Sequence, residues 1–377
     1  MLNDNYHSGM SGGRPGTTFI ERTRGARKII VVDFGFLGDS VHLVPALWEI
    51  KRHYEGAELH TLSASVGAEL LQMAPCVDRP WAFPLTAKSP PWWKHWDILW
   101  ALRRQRFDVA FNFSGSDRSI LATGFIGARR ALGFEAGRRH FWNAWLVSDW
   151  VKRGTRELPV YEQRRRVLAA RGFSLQPARF DLRLPEEARK WAQETIPQNS
   201  AHLSINASST PLNEWPLENW IQLAKALLAA DGALFLSATA GANRREQQRL
   251  AALATAVDDQ RLVCLPGTTI ARLAAILQRS RLHLGADSGV LHLAMALGVP
   301  TMAFFRDRGG LKEWMPVGEQ HRQFIAPCRC LKENRTDCLT AGRACCLASI
   351  SAGPVAAEAL RRIKASIDRQ QAAAPGE

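Results

Sequence analysis

The chain has 377 residues, 46% apolar and 22% charged, which gives room for two globular cores and excludes a disordered or fibrous protein. Its 49 Lys and Arg against 35 Asp and Glu leave a net charge of +14, pointing to anionic partners: nucleic acid, nucleotide, phosphorylated glycan or anionic lipid. No apolar run reaches the roughly 20 residues that span a bilayer, and the N-terminus lacks the apolar core of a secretory signal, so a cytoplasmic protein is expected.

Residues 1–26, rich in Gly, Ser, Thr and Arg, read as a mobile tail. RKIIVVDFG (27–35) is a basic pair followed by a β-branched run that ends in Gly35. The next segment places Val41, Val44, Leu47, Trp48 and Ile50 at helical spacing, so the pair predicts strand, Gly-rich turn and helix. LHTLSA (59–64) and FDVAFNFSG (107–115) read as further strands, the second leading into helical SDRSILATGFIGA (116–128). This alternation predicts a parallel, Rossmann-like domain over 27–184. PPWW (90–93) and FWNAWLVSDW (141–150) put tryptophans in or beside loops, as core plugs or as a stacking surface for a sugar or acyl chain. Arginines cluster at 103–106, 129–139 and 164–166, on a solvated surface or against an anion.

The polar stretch LPEEARKWAQETIPQNS (184–200) reads as the link between the halves. From 198 to 351 the plan repeats, with strands AHLSIN (201–206), ALFLSA (233–238), RLVCLPG (261–267), RLHLGA (281–286) and TMAFF (301–305) and helices between them. Five strand–helix repeats predict a second doubly wound domain. Residues 352–377 carry a helical stretch whose length and polarity suit packing back across the domain boundary. The fold class expected is α/β of the GT-B plan, two Rossmann-like doubly wound domains facing across a cleft.

Ligands of doubly wound sheets bind beyond the carboxyl ends of the strands. The first such loop is DFGFLGDSVH, where Gly35 and Gly38 permit a tight turn and Asp39 starts a helix. Asp39 reads either as a helix cap or as a general base for an acceptor hydroxyl. In NASSTPLNEWP, Ser208, Ser209 and Thr210 offer hydroxyls and backbone N–H groups to phosphate oxygens. HLGADSGVLHLAMALGVP (283–300) sets Asp287, Ser288 and Gly289 at a helix N-terminus, with His292 in the first turn. The partial positive charge and open N–H groups there suit a diphosphate; the alternative is a capped helix with a core histidine.

Cys76 and Cys264 stand alone in apolar surroundings, whereas Cys328, Cys330, Cys338, Cys345 and Cys346 crowd together. The spacing C-x-C-x7-C-x6-C-C matches no common zinc finger, so reduced structural thiols are expected, with a thiolate metal site as the alternative.

Four segments carry a resemblance to the glycosyltransferase family 9 heptosyltransferases, which build the inner core of lipopolysaccharide. IIVVDFGFLGDSVHLVPALWEIKRHYEGAELHTLSA resembles the family's opening, and FDVAFNFSGSDRSILATGFIGARRALGF its middle first-domain segment. PLNEWPLENW resembles the second-domain loop, and ADSGVLHLAMALGVPTMAFF the donor-site signature. The resemblance covers about residues 27–360. It implies an inverting, metal-independent transferase without a cofactor, moving heptose from ADP-heptose to a lipopolysaccharide core or lipid A-linked acceptor. The enzyme would sit peripherally on the inner face of the inner membrane and bind no nucleic acid.

By resemblance Asp39 is the catalytic base, Ser208 and Ser209 lie near the donor phosphates, and Asp287, Ser288, Gly289 and His292 form the donor signature. Gly38, Arg118, Arg138 and Arg139 fall on the acceptor side. The sequence departs from the family twice: Asn213 stands where a lysine is usual, and Asn243 falls near the usual ribose-binding acid. Asn243 can still bond a ribose hydroxyl, and Arg244 or Arg245 can supply the missing charge. The alternatives are a related transferase with another nucleotide sugar or glycan acceptor, and a non-catalytic polyanion binder.

Overall fold

The computed structural model describes residues 17–85, 95–135, 143–152, 156–205, 211–241, 243–333 and 335–373. The chain divides into two compact units, Met1–Arg183 and Leu184–Glu377. In the first, the strands are β1 (Lys28–Asp33), β2 (Glu58–Ala64), β3 (Arg79–Phe83), β4 (Val109–Asn112), β5 (Arg130–Glu135) and β6 (Asp149–Lys152). They form one parallel sheet in the order β3-β2-β1-β4-β5-β6. Ile29, Ile30, Val31 and Val32 of β1 are all buried, as a central parallel strand covered on both faces requires. Alternate residues enter opposite layers. Ile29 and Val31 pack with Leu43, Val44 and Leu47 of the helix Leu37–His53, while Ile30 and Val32 pack with Leu99, Leu102 and Ile120.

The second unit holds β7 (Ser200–Ser204), β8 (Phe235–Ala240), β9 (Leu262–Pro266), β10 (Ser280–Ala286), β11 (Thr301–Arg306) and β12 (His321–Ala326). These also form a parallel sheet, in the order β12-β11-β10-β7-β8-β9. Renumbered within its unit, this order reads 6-5-4-1-2-3, the Rossmann winding already seen in the first unit.

Four features go beyond the sequence reading, each with a physical cause. Residues 17–26 are ordered, not tail: Thr18 and Glu21 form a capping box around the helix Phe19–Arg22, and buried Phe19 meets Phe111 edge-on at 5.8 Å. The stretch read as a link contains the helix Glu186–Thr195, which buries Ala188 and Ala192 in the second unit. The helix Ala352–Ala373 sends Val355, Ala356, Ala359 and Ile363 into the second unit's own core beside Trp220 and Leu223. Strands β3, β5, β6 and β12 carry too little apolar pattern to stand out, and β3, β6 and β12 are edge strands with one neighbour each. Among the described residues no helix is long and apolar enough to cross a membrane.

At the centre of the second sheet two histidines face each other in register. His202 Nδ1 on β7 lies 2.9 Å from His283 Nδ1 on β10, and His202 Nε2 lies 2.9 Å from Thr239 Oγ1. Both rings are fully buried. Burial pushes His202 down to about 3 and holds His283 well below the ordinary imidazole value, with His202 adding to the effect. Burial likewise lowers His292 and His321 to about 4. The unfolded chain therefore binds protons below about pH 6.5 that the folded chain refuses, so acid favours unfolding. Each fully buried histidine should cost about 2 kcal/mol between pH 6.5 and 5. The thermal midpoint is expected to fall clearly from pH 7 to pH 5, and a flat profile in that window would overturn the neutral-histidine assignment.

Candidate active site

A parallel sheet wound in both directions leaves a gap where the winding reverses, between β1 and β4 in the first unit and between β7 and β10 in the second. In the first unit β1 ends at Asp33, whose Oδ1 accepts the Gly35 N–H at 2.9 Å. The turn needs glycine at position 35, where a Cβ would lie 2.3 Å from Asp39 Cβ. Asp39 is the third residue of the helix Leu37–His53, and its Oδ2 accepts the Phe36 N–H at 3.0 Å. Its helix-capping and candidate base roles therefore fall on one side chain, with one oxygen engaged and the group partly open to solvent. Phe36 itself is 80% exposed at the tip of the turn.

Beneath Asp39 lies an arginine of the 164–166 cluster, for which the sequence leaves both a solvated surface and an anion partner open. Arg164, on the helix Val160–Ala169, is buried and donates from Nη1 to the Asp39 carbonyl at 2.5 Å. Its Nη2 lies 2.7 Å from Asp33 Oδ2 and 3.7 Å from Asp39 Oδ1, and its guanidinium sits 6.0 Å from the Phe113 ring centre. Burial raises the Asp39 carboxyl above its ordinary value; Arg164 opposes that shift and Asp33 adds to it. At the tip of β4, Asn112 Oδ1 accepts the Ser114 and Gly115 N–H groups at 3.1 and 3.0 Å, shaping the adjoining loop.

In the second unit β10 runs into Asp287 and Ser288, and Gly289 opens the helix Gly289–Ala296. Ser288 caps the helix in backbone geometry only: its buried Oγ finds no hydrogen-bond partner among the described residues. Asp287 Oδ2 accepts from Arg308 Nη2 at 2.9 Å, and its Oδ1 lies 3.9 Å from His292 Nε2. His292 is buried against Trp314, ring centres 5.4 Å apart, and burial keeps the ring neutral near pH 7. The result is a helix N-terminus with an open buried hydroxyl and an arginine beside it, chemistry suited to phosphate oxygens.

The other expected residues divide. Ser208, Ser209, Thr210, Arg138, Arg139 and the PPWW stretch lie outside the described residues. Gly38 is buried in the first turn after β1, and Arg118 is exposed on the helix Asp117–Ile126 that follows β4. Asn213 ends a short turn and is half-buried. Asn243 caps the helix Arg244–Val257 by accepting the Glu246 N–H at 3.0 Å. Arg245 pairs with buried Glu214 at 2.7 Å. Buried Glu246, which accepts the Gly241 N–H at 2.6 Å, is an acid at the tip of β8 that the sequence reading passed over.

Trp145 is 84% exposed, whereas Trp150 packs over Gly133, whose missing Cβ leaves room for the indole. All seven cysteines are free. Arg306 donates to Cys328 Sγ at 3.3 Å and the Cys338 N–H to Cys330 Sγ at 3.3 Å. Among the described residues no three Cys, His, Asp or Glu side chains are arranged to hold a metal.

Of the residues missed, Arg164 had a signal. It shares a helical face with Val160, Val167 and Leu168, so an apolar stripe carries it inward. Arg308 sits in a loop after β11 and had none.

Residues 95–342 match the model of glycosyltransferase family 9 (heptosyltransferase). The chain is 25% identical over 294 residues to lipopolysaccharide heptosyltransferase 1 of Pseudomonas aeruginosa, covering 74% of this chain and 78% of that protein. Among solved structures, Escherichia coli ADP-heptose lipopolysaccharide heptosyltransferase II superposes with a TM-score of 0.71 at 17% identity, over 91% of this chain and 99% of that one. E. coli heptosyltransferase WaaC with ADP gives 0.69 at 18% identity, over 89% and 99%. Two Rossmann-wound units, each with polar loops at its winding reversal, and a family match over most of the length place the chain in glycosyltransferase family 9, the heptosyltransferases.

Proposed function

We propose that the protein is an inverting transferase that moves heptose from ADP-heptose to a lipopolysaccharide inner-core acceptor, with Asp39 as general base. The observation that carries this reading is the placement of Asp39 and of the 287–292 turn, each at the winding reversal of its own sheet. In the reaction the Asp39 carboxylate takes the acceptor hydroxyl proton as that oxygen attacks the anomeric carbon. The bond from that carbon to the diphosphate breaks, and ADP leaves with the electron pair. Backbone N–H groups at Gly289, the free Ser288 hydroxyl and Arg308 take up the charge on the leaving group. The ADP in the solved WaaC complex supports an adenosine diphosphate donor. Arg308 supplies the cation absent at Asn213, and Glu246 the acid absent at Asn243.

Those two amides favour a second reading, in which the donor is another nucleotide sugar. Exposed Phe36 beside the base offers a stacking face to the acceptor, and the basic first half of the chain suits an acceptor held at an anionic inner-membrane surface from the cytoplasm.

Asp39→Asn is expected to lower kcat by about 10²–10⁴ while ADP still binds, and undiminished turnover would refute the base assignment. Because burial raises the Asp39 carboxyl and a base must be ionised, the rate should fall as pH drops, with a midpoint above the ordinary aspartate range. Arg308→Ala, or Ser288→Ala, should weaken ADP binding about tenfold by calorimetry. A thermal-shift screen of ADP-, UDP- and GDP-sugars decides the donor: stabilisation by a UDP- or GDP-sugar alone would favour the second reading.

A further inference from the structure

Arg164 is held by more bonds than a surface arginine needs, and none of them is explained by the fold alone. It reaches the gap between β1 and β4 from a helix on another layer and meets three groups there: the Asp33 carboxylate, the Asp39 carbonyl and the Asp39 carboxylate. The approach to Asp33 is close but off the hydrogen-bonding direction, so that pair is held by charge. The bond to the Asp39 carbonyl, short at 2.5 Å, ties the first turn of the 37–53 helix to the 160–169 helix. Its neighbour Arg165 makes the purely structural bridge, pairing with buried Glu49 at 3.1 Å and Glu162 at 2.6 Å. The two helices are thus already joined at Glu49, ten residues along from Asp39, and Arg164 adds a second join aimed at Asp39.

We infer that Arg164 is a positioning residue for Asp39, gripping its carbonyl and standing beside its carboxylate with Asp33 as counter-anion, so that the base is fixed in place and kept ionised between turnovers. The inference rests on the reading of Asp39 as the base. Of the elements packed on the 37–53 helix, the 160–169 helix brings Arg164, β1 brings Asp33, and the helix Ser65–Leu71 brings half-buried Glu69 two residues beyond Gly67, which lies against Ser40. Within the helix itself, His42 is the next titratable group and is stacked on Tyr161 at 5.9 Å. Arg164 and Asp33 therefore act on Asp39 with opposite sign, the cation favouring its anion and the neighbouring anion opposing it.

That opposition gives a test that a structural ion pair cannot imitate. The acidic limb of kcat against pH is measured for wild type, Arg164→Gln, Arg164→Lys and Asp33→Asn, with ADP affinity read in parallel. Arg164→Gln should move the limb up by about one pH unit or more, Asp33→Asn should move it down, and Arg164→Lys should stay close to wild type. ADP affinity should be unchanged throughout. Removing one partner of a buried pair destabilises, so the double variant Asp33→Asn/Arg164→Gln, which leaves neither charge alone, serves if a single variant does not fold. Its limb is expected close to that of wild type, with a lower kcat from the lost carbonyl grip. Limbs that stay put, or that move the same way in Arg164→Gln and Asp33→Asn, overturn the inference while Asp39→Asn remains inactive. A fully active Asp39→Asn sinks the base reading itself, and the two failures are distinct.

Discussion

The reversal of winding is the constraint on which the rest of this molecule depends. A parallel sheet must return its chain through a crossover after every strand, and the crossover is right-handed. Laying strands outward in both directions from one pair puts successive helices on opposite faces, so the loops leaving that pair diverge. In this chain the pairs are β1 with β4 and β7 with β10, and no side chain is needed to open the gap between them. Backbone N–H groups and whatever polar side chains the loops carry are left facing the opening. The candidate site's polar groups are confined to a few residues at those loops, while the strand leading into one of them is free to be uniformly apolar, as Ile29–Val32 are.

The two units fill their gaps with opposite electrostatics. The first uses full charges: two carboxylates, Asp33 and Asp39, around one buried arginine. Burying charge is costly unless it is paired, and a buried pair broken on one side is costlier than one never made. Arg164 is therefore tolerated only because Asp33 is there, and Asp33 only because of Arg164. The second unit uses partial charges instead. A helix N-terminus, a hydroxyl and a neutral imidazole line its gap, with Arg308 at the rim paired to Asp287. In the proposed reaction the Ser288 hydroxyl and the helix N–H groups meet a leaving diphosphate with no counter-anion to displace, whereas Arg308 is shared with Asp287.

Legibility in the sequence follows burial. β1 is a central strand with an uninterrupted β-branched run, and β10, also central, ends in Leu284, Gly285 and Ala286, so the turns after them stand out as polar breaks. β3, β6 and β12 lie at edges, where one face and one hydrogen-bonding side are relieved of the apolar requirement, and their arginines, tryptophans and histidine blur the period. Asp39 and the Asp287–Gly289 turn were visible because polar residues interrupt apolar surroundings. Asn243 was visible as a polar residue at the tip of β8, where its side chain caps the following helix; Glu246, three residues on, accepts the Gly241 N–H there and is masked in the sequence by the charged run around it. Residues 17–26 read as tail by composition, yet buried Phe19, with Ile20 and Ala26 beside it and Thr23 bonded to Tyr54, anchors them in the first core.

Arg164 shows why composition misleads most where charge is abundant. In a chain of net charge +14, three consecutive arginines look like more solvated surface. Helical periodicity, not charge, separates them: Arg166 points to solvent with its side chain 48% exposed, while Arg164 and Arg165 fall on the face of Val160, Val167 and Leu168. An arginine on an apolar face must find an anion, because its guanidinium stays charged at any pH a protein meets. The anion then has to come from another element, and β1 and the first turn of the following helix are the ones within reach. A buried arginine thus points, through its obligatory partner, to the carboxylates of a site that its own position in the sequence does not disclose.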